Sequence, residues 1–160
     1  MLFTRAWVRE QQGRPDEARA LWERLAAEHG RSRYAAEALV RLGDADLKAK
    51  RYDAARERYA AAVTDHPQSP LRAEARFKLG SALYHLDRFP EAAREFDGVV
   101  ATAGANDYLP EALYWAGLAL DKAGDKRGAI ERLSRLVRRF PKHGRVAGAR
   151  VRLAALKAVA

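Results

Sequence analysis

The sequence contains no cysteine, a single methionine and no long apolar run that is free of charged residues. The absence of cysteine excludes disulfide bonds and thiolate metal sites. A transmembrane helix needs about 20 predominantly apolar residues, and charged side chains interrupt every long apolar stretch here. The first residues, MLFTRAWVREQQGR, also lack the apolar core and small-residue cleavage site of a secretion signal. We therefore expect neither a transmembrane segment nor a cleaved leader.

Alanine, leucine, arginine and glutamate dominate the composition, whereas valine and isoleucine are few. The abundant residues are strong helix formers, so the composition favours an all-α fold. A chain of 160 residues is long enough to bury a sizeable core in one domain.

Several kinds of residue recur along the chain with a spacing of 37 residues. An alanine is followed four residues later by a large apolar side chain at Ala18 and Trp22, Ala55 and Tyr59, Ala92 and Phe96, and Ala129 and Leu133. A small residue recurs at Ala6, Gly43, Gly80, Gly117 and Ala154, and a second alanine recurs at Ala38, Ala75, Ala112 and Ala149. Residues that end helices recur at Gly30, Pro67, Gly104 and Pro141. Such self-similarity indicates a repeat architecture, in which each unit packs on its neighbours.

Each recurring position has a physical reason. The small residue allows two helices to approach where a longer side chain would hold them apart. The alanine and the large apolar residue lie one turn apart on one helix face, so they fill the space between paired helices. The glycine or proline ends the second helix of a pair, so that the chain can reverse.

The pattern predicts about nine antiparallel helices, arranged as four 37-residue helix pairs and one C-terminal helix. We expect first helices near 1–12, 34–49, 71–86, 107–123 and 144–159, and second helices near 15–29, 52–65, 89–102 and 126–140. The chain is predicted to be a single domain, 1–160, with repeats at about 1–33, 34–70, 71–106 and 107–143 followed by the last helix, 144–159.

These columns resemble the tetratricopeptide repeat signature, W-x2-L-G-x2-Y…A-x3-F…P. The matching residues are Gly13, Ala18 and Trp22 in the first unit, Leu42, Gly43, Ala55, Tyr59 and Pro67 in the second, Leu79, Gly80, Leu83, Ala92 and Phe96 in the third, and Gly117, Leu120, Ala129 and Pro141 in the fourth. The resemblance implies a right-handed α-α solenoid whose concave groove binds a peptide or helix of a partner protein.

The repeat departs from the common period of about 34 residues, because extra residues lie between the pairs. The junctions after Pro67 and Pro141 are similar to those of periplasmic Tol-Pal accessory proteins of the YbgF/CpoB type and of outer-membrane assembly lipoproteins of the BamD type. This resemblance implies a scaffold of a bacterial envelope and favours the periplasm. The lack of a signal peptide would instead place the protein in the cytoplasm if the chain is complete.

In the architecture that the resemblance implies, the first helices line the groove. The residues that we expect there are Trp7, Gln11, Asp44, Lys48, Phe77, Ser81, Tyr84, His85, Tyr114, Leu118 and Lys122. The aromatic members of this set suit the anchor chemistry of protein interfaces. Alternatively, Phe77 and Tyr114 pack between neighbouring first helices.

Positive charge is concentrated at one end of the sequence. Residues 122–160 carry 12 Lys or Arg and only two acids, whereas residues 1–121 carry 18 Lys or Arg and 19 acids. Helical spacing places Arg132, Arg135 and Arg139 on one exposed helix face, with Arg138 and Lys142 beside it. Such a patch could bind nucleic acid or anionic lipid, bind an acidic partner protein, or be a solvated surface. The absence of interleaved aromatic residues for base stacking argues against nucleic acid.

The sequence offers little support for catalysis. No HExxH, glycine-rich phosphate loop or G-x-S-x-G motif occurs, and the four histidines are scattered. We therefore expect no catalytic residues, no metal and no cofactor. Apolar residues remain on the first and last helices, which predicts that one or both ends of the solenoid bury surface against more protein, for example in self-association.

Overall fold

A computed structural model of the protein describes residues 1–101 and 107–158. These residues form nine α-helices and no strand: α1 (Leu2–Gln11), α2 (Pro15–Glu28), α3 (Ala35–Lys48), α4 (Tyr52–Asp65), α5 (Arg72–His85), α6 (Phe89–Val100), α7 (Leu109–Lys122), α8 (Lys126–Arg139) and α9 (Val146–Ala158). The predicted all-α class is confirmed. Gly104 and the predicted ends of two helices, at 102 and 159, lie outside the described residues.

The chain divides into two compact units, unit 1 (Met1–Ala82) and unit 2 (Leu83–Ala160). The single domain expected from the sequence stays a prediction.

Four turns of one kind join the two helices of each pair. Their central residues, Gly13, Lys50, Asp87 and Gly124, all have positive φ angles and lie 37 residues apart. In each turn the next amide donates to the carbonyl five residues earlier, as Arg51 does to Asp46 at 2.8 Å. This bond satisfies a carbonyl that the helix end would leave unpaired. The repeat therefore extends to the backbone conformation of each turn.

At Gly43 and Gly117, two members of the small-residue column, the paired helices lie in close contact, as the sequence predicts. A Cβ added to Gly43 of α3 would lie 2.5 Å from Cε1 of Tyr59 in α4. A Cβ on Gly117 of α7 would lie 2.7 Å from Cγ of Leu133 in α8. Both large side chains are fully buried. The two helices of these pairs thus touch at a position where no side chain larger than hydrogen fits.

Unit 1 combines this apolar packing with one buried charge. Asp46 is fully buried and accepts hydrogen bonds from Arg19 at 2.9 Å and from Arg51 at 2.8 and 3.0 Å. Burial alone would raise the pKa of Asp46, but the hydrogen bonds from Arg19 and Arg51 outweigh it and hold the pKa below its usual range. Asp46 thereby ties α3 to α2 and to the turn before α4.

Unit 2 has an apolar core contributed by α7, α8 and α9. Its buried members are Leu109, Leu113, Ala129, Leu133, Leu136, Val146, Ala149 and Leu156. Ala129, Leu133 and Ala149 belong to three columns of the repeat, so residues that reveal the repeat in the sequence are also residues that pack.

Neighbouring second helices are joined by an ion pair that recurs in the two units. Arg58 of α4 lies 3.5 Å from Glu23 of α2, and Arg132 of α8 lies 2.8 Å from Asp97 of α6. The residues of each pair are 35 positions apart. The prediction that Arg132 lies on an exposed helix face is therefore wrong, because the side chain turns toward Asp97 and only 23% of it is accessible.

Replacing Gly43 by alanine is expected to lower the free energy of unfolding. Overpacking against the Tyr59 ring costs about 1–3 kcal/mol, which exceeds the gain of at most about 1 kcal/mol that alanine brings to a helix interior. Urea denaturation followed by circular dichroism measures the change. Gly144→Ala is the control, since nothing lies within 4 Å of the added Cβ. Equal midpoints for the two variants would show that the Tyr59 ring does not limit the residue at position 43.

Replacing Asp46 by asparagine is expected to lower the free energy of unfolding at pH 7 by about 1.5–3 kcal/mol, the usual contribution of hydrogen bonds to a charged group. The folded-state pKa is depressed, so this stabilisation is present above the unfolded pKa of about 3.9 and is lost as the pH falls through the folded value.

The difference in the free energy of unfolding between wild type and Asp46→Asn should therefore become smaller below about pH 4. Urea denaturation at pH 7, 5, 4 and 3 tests this, with the exposed Asp53→Asn as the matched variant. A difference that stays constant over this range would mean that the charge of Asp46 is not what stabilises the fold.

Candidate protein-binding surfaces

Unit 1 contains a cleft of about 790 Å³. Residues of α1, α2, α3 and the start of α5 line it, with Trp22, Val40, Leu42 and Leu71 as its large apolar side chains. Trp22, Val40 and Leu42 are buried and form the floor, whereas Leu71 is half-buried. The cleft is large enough for a few side chains of a bound peptide.

Paired charges surround this floor. Arg41 lies 3.1 Å from Glu10 of the preceding first helix and 3.1 Å from Glu37 of its own helix. Lys78 similarly lies 2.7 Å from Asp44 and 2.8 Å from Glu74. Burial alone would lower the pKa of Lys78, but the hydrogen bonds to Asp44 and Glu74 prevail and raise it. Both cations are thus held in fixed positions by two carboxylates each.

Asp44 also accepts a 2.7 Å hydrogen bond from the Tyr59 hydroxyl. Burial, together with this bond to Asp44, raises the pKa of Tyr59, so the phenol stays a donor. The same ring lies over Gly43, and the helix contact and the cleft wall are therefore positioned by one side chain.

Only some of the groove residues that the sequence predicts in unit 1 line the cleft. Asp44 and Lys48 line the cleft, and Lys48 is exposed. Trp7 and Gln11 are exposed on α1, Trp7 with 45% of its surface accessible, but neither lines the cleft. Phe77 and Ser81 are half-buried, and the Ser81 hydroxyl donates to the Phe77 carbonyl within α5.

Unit 2 carries a continuous run of half-buried aromatic rings. Tyr84 packs edge-on against Phe89 at 5.1 Å and against Trp115 at 5.4 Å between ring centroids. Trp115 in turn packs edge-on against Tyr114 at 5.6 Å. The Arg145 guanidinium lies over the rings of Tyr114 and Trp115, at 5.2 and 5.6 Å. These five residues are called the aromatic surface below.

Glu111 holds two members of the aromatic surface in place. It accepts a 3.1 Å hydrogen bond from the Trp115 indole and two 3.0 Å bonds from Arg145. Burial, and next the charge of Asp121, raises the pKa of Tyr84. Tyr84 is therefore an uncharged phenol at neutral pH, as suits a surface that contacts apolar groups.

Sequence reasoning found only part of the aromatic surface. Tyr84 and Tyr114 belong to it as expected groove residues, but Phe89, Trp115 and Arg145 were missed. The three other expected groove residues of unit 2 are not part of the aromatic surface. Leu118 is half-buried, whereas His85 and Lys122 are exposed.

The spacing between residues that meet across neighbouring first helices could have identified Trp115 from the sequence. Residues 31 positions apart meet across neighbouring first helices, as Glu10 and Arg41 do in unit 1 and Asp121 and Arg152 do in unit 2. Tyr84 and Trp115 have the same separation. At this contact two aromatic rings take the place of the ion pair, and the aromatic surface begins there.

The basic patch is smaller than the sequence suggests. Arg138, Arg139 and Lys142 are exposed and Arg135 is half-buried, while Arg132 is paired with Asp97. Arg139 stacks on Phe140 at 5.6 Å. Four acids of this region are engaged by the chain itself: Glu111 by Arg145, Asp121 by Arg152, Asp125 by the Gly128 amide and Glu131 by Arg132. These four carboxylates are thus held by groups other than Arg138 and Arg139 of α8.

Among residues 1–101 and 107–158, no group of three or more histidine, cysteine or acidic side chains is arranged to hold a metal ion. Of the helices in these ranges, none combines the length and apolar character needed to cross a membrane.

Comparison with solved structures identifies helical repeat proteins with a similar fold. MamA (residues 41 to the end) from Desulfovibrio magneticus RS-1 superposes with a TM-score of 0.77 at 20% identity, covering 98% of this chain and 82% of that one. A second MamA structure gives 0.70 at 24% identity over 85% and 74%. A Podosopora anserina putative kinesin light chain with nearly identical TPR-like repeats gives 0.70 at 19% identity over 97% and 83%. At these identities the likeness shows the fold alone.

Sequence comparison adds a family. No curated protein matches the sequence. A family model described as a tetratricopeptide repeat matches residues 3–70 and 40–108, and a second model of the same description matches residues 111–143. The matched segments cover well over half of the 160 residues, and α1 with α2, α3 with α4, and α7 with α8 pack as the helix pairs that this repeat specifies. The chain therefore belongs to the tetratricopeptide repeat family.

Proposed function

We propose that this protein is a non-catalytic scaffold that binds a peptide or helix of a partner protein through its first helices. The observation that carries the proposal is the aromatic surface of unit 2, where four rings in edge-to-face contact stay half-exposed. Members of the repeat family generally act as protein-interaction scaffolds, and this surface supplies the apolar anchor that such binding needs.

The chemistry of the aromatic surface favours a protein ligand. Tyrosine, tryptophan and arginine are the residues that most often dominate binding energy at protein interfaces. Trp115 and Arg145 are already held by Glu111, so little side-chain freedom remains to be lost on binding. A partner that presents leucine, methionine or aromatic side chains would gain contact area without having to order this surface first.

The cleft of unit 1 supports the same function through a combination of apolar and charged side chains. Its apolar floor can receive one or two side chains, while the walls formed by Arg41, Asp44 and Glu74 can hydrogen-bond a peptide backbone. Lys48 is exposed at the cleft and is available for an acidic group of the ligand. The groove expected from the sequence is thus supported in each unit by a surface suited to a peptide.

An anion-binding function is the alternative, and one observation favours it. Arg138, Arg139 and Lys142 are exposed, and the nearby acids are engaged elsewhere. A nucleic acid or a vesicle of anionic lipid would be held there by charge, and its affinity would fall steeply with salt. The pairing of Arg132 with Asp97 removes one cation from this patch and weakens the case.

We further propose that the partner belongs to a bacterial envelope assembly. The support is the junction between pairs, in which Pro67 and Pro141 precede alanines such as Ala75 and Ala149, a pattern that resembles the YbgF/CpoB and BamD types. Fractionation of the native cells should recover the protein with the periplasm or the membranes. Recovery from the cytoplasm would contradict this assignment.

Trp115→Ala and Tyr84→Ala are each expected to weaken peptide binding by about tenfold or more, because both remove an aromatic anchor. The probe is a fluorescent peptide selected from a random peptide library against the wild-type protein, and fluorescence anisotropy gives its Kd. Arg94→Ala is the matched control, since this exposed residue of α6 lies outside the aromatic surface.

The same titration separates the two candidate functions. Binding by the aromatic surface should change little between about 50 and 500 mM salt, whereas binding of an anion to the basic patch should drop by orders of magnitude. Undiminished affinity of both aromatic variants, with a loss in Arg138→Ala and Arg139→Ala, would replace the proposed function with the alternative.

A further inference from the structure

Helix α9 corresponds by register to the first helix of a pair. Ala149 and Ala154 occupy its two small-residue columns, as Ala112 and Gly117 do in α7. The side formed by Val146, Ala149 and Leu156 is buried in the core of unit 2. On the other side, five residues are exposed along neighbouring turns: Ala147, Arg150, Val151, Ala154 and Lys157. These five residues are called the α9 face.

Positions of the α9 face are covered in other first helices. Val151 is 73% exposed, whereas Val40 at the same register position of α3 is 4% exposed. Arg150 is exposed, whereas Leu113 at its position in α7 is fully buried. Ala154 is exposed, whereas Gly43 and Gly117 at its position lie beneath Tyr59 and Leu133. Over these two glycines the covering element is the second helix of the pair.

This equivalence defines the shape of what fits on the α9 face. The second helices α4 and α8 each place one large side chain over the small residue of the first helix. A ligand that packs in the same way is a helix with a tyrosine or leucine over Ala154. Neighbouring apolar side chains of that helix would cover Val151.

The charge of the α9 face restricts the ligand further. Arg150 and Lys157 flank Val151 and Ala154, and four acids of unit 2 are engaged by other groups. A second copy is a poor match, because three of the four acids of its α2 are paired within the copy: Glu17 with Arg9 and Arg14, Glu23 with Arg19, and Glu28 with Arg24. Carboxylates from another protein would complement both cations.

We propose that the α9 face binds an acidic amphipathic helix of a partner protein, which packs on α9 as a second helix packs on the first helix of its pair. This site is separate from the aromatic surface and does not depend on the function proposed for it. The occupant differs too, since the α9 face takes a preformed helix with acids beside an apolar stripe.

The probe is a fluorescent 14-residue peptide that keeps the apolar positions of α4 (Tyr52–Asp65) and replaces the arginines at its positions 56 and 58 by glutamate. Fluorescence anisotropy with the whole chain should show saturable binding. Val151→Asp should weaken it by about tenfold or more, since the variant puts a carboxylate beside the apolar stripe and the acids of the peptide. Arg150→Glu should weaken it more strongly at low salt than at high salt.

Three controls make the outcome decisive. Val151 is largely exposed, so Val151→Asp should keep the wild-type circular dichroism spectrum and unfolding midpoint. The unmodified α4 peptide, which keeps its arginines, should bind at least about tenfold more weakly than the acidic one. Arg94→Glu, on α6, should leave the affinity unchanged.

Three results would overturn the proposal. One is no binding of the acidic peptide at the highest soluble concentration, and another is equal affinity of wild type and Val151→Asp. The third is a concentration-dependent dimer in sedimentation that Val151→Asp abolishes, which would assign the α9 face to a second copy.

Discussion

The contact between Gly43 and the Tyr59 ring, repeated between Gly117 and Leu133, controls how closely the two helices of a pair approach. Because no larger residue fits beneath the ring, the separation of the helix axes is determined at this point. The hydroxyl of the same tyrosine bonds Asp44, which in turn holds Lys78 of the next first helix. One packing contact therefore positions both the helix pair and the charged wall of the cleft in unit 1.

The repeat also determines where binding surfaces arise. Residues 31 positions apart meet across neighbouring first helices and form ion pairs at Glu10 and Arg41 and at Asp121 and Arg152. The arginine of each pair is partly accessible, and ion pairs near the surface contribute little to stability, so the position tolerates other chemistry. At Tyr84 and Trp115 it carries aromatic rings instead, and the geometry that joins two repeats there also presents an apolar surface to a ligand.

Periodic features were predictable and side-chain partners were not. The column that contains Ala6, Gly43 and Gly117 predicted the pairs, because a small residue that returns every 37 positions indicates the same close helix contact in each repeat. The positive φ of Lys50 and Asp87 follows from their alignment with Gly13 and Gly124, although a lysine alone does not suggest it.

Arg132 shows the limit of reasoning from one helix at a time. Helical spacing places it beside Arg135 and Arg139, but it gives no information about Asp97 on another helix, 35 residues earlier. Trp115 was missed for a related reason, since its column elsewhere holds charged residues such as Arg41. The apolar surface arises where one particular repeat meets the next. A pattern averaged over all repeats therefore does not reveal it.

Hydrogen–deuterium exchange of the whole protein, with and without the selected library peptide, tests most directly whether a peptide ligand docks on the aromatic surface held by Glu111. The readout needs no substitution, so it cannot be confused with a loss of folding. Docking at this surface predicts slower amide exchange around Tyr84 and Phe89 and along the first half of α7, with α8 unchanged. Slowing confined to α8 and its exposed cations would contradict it.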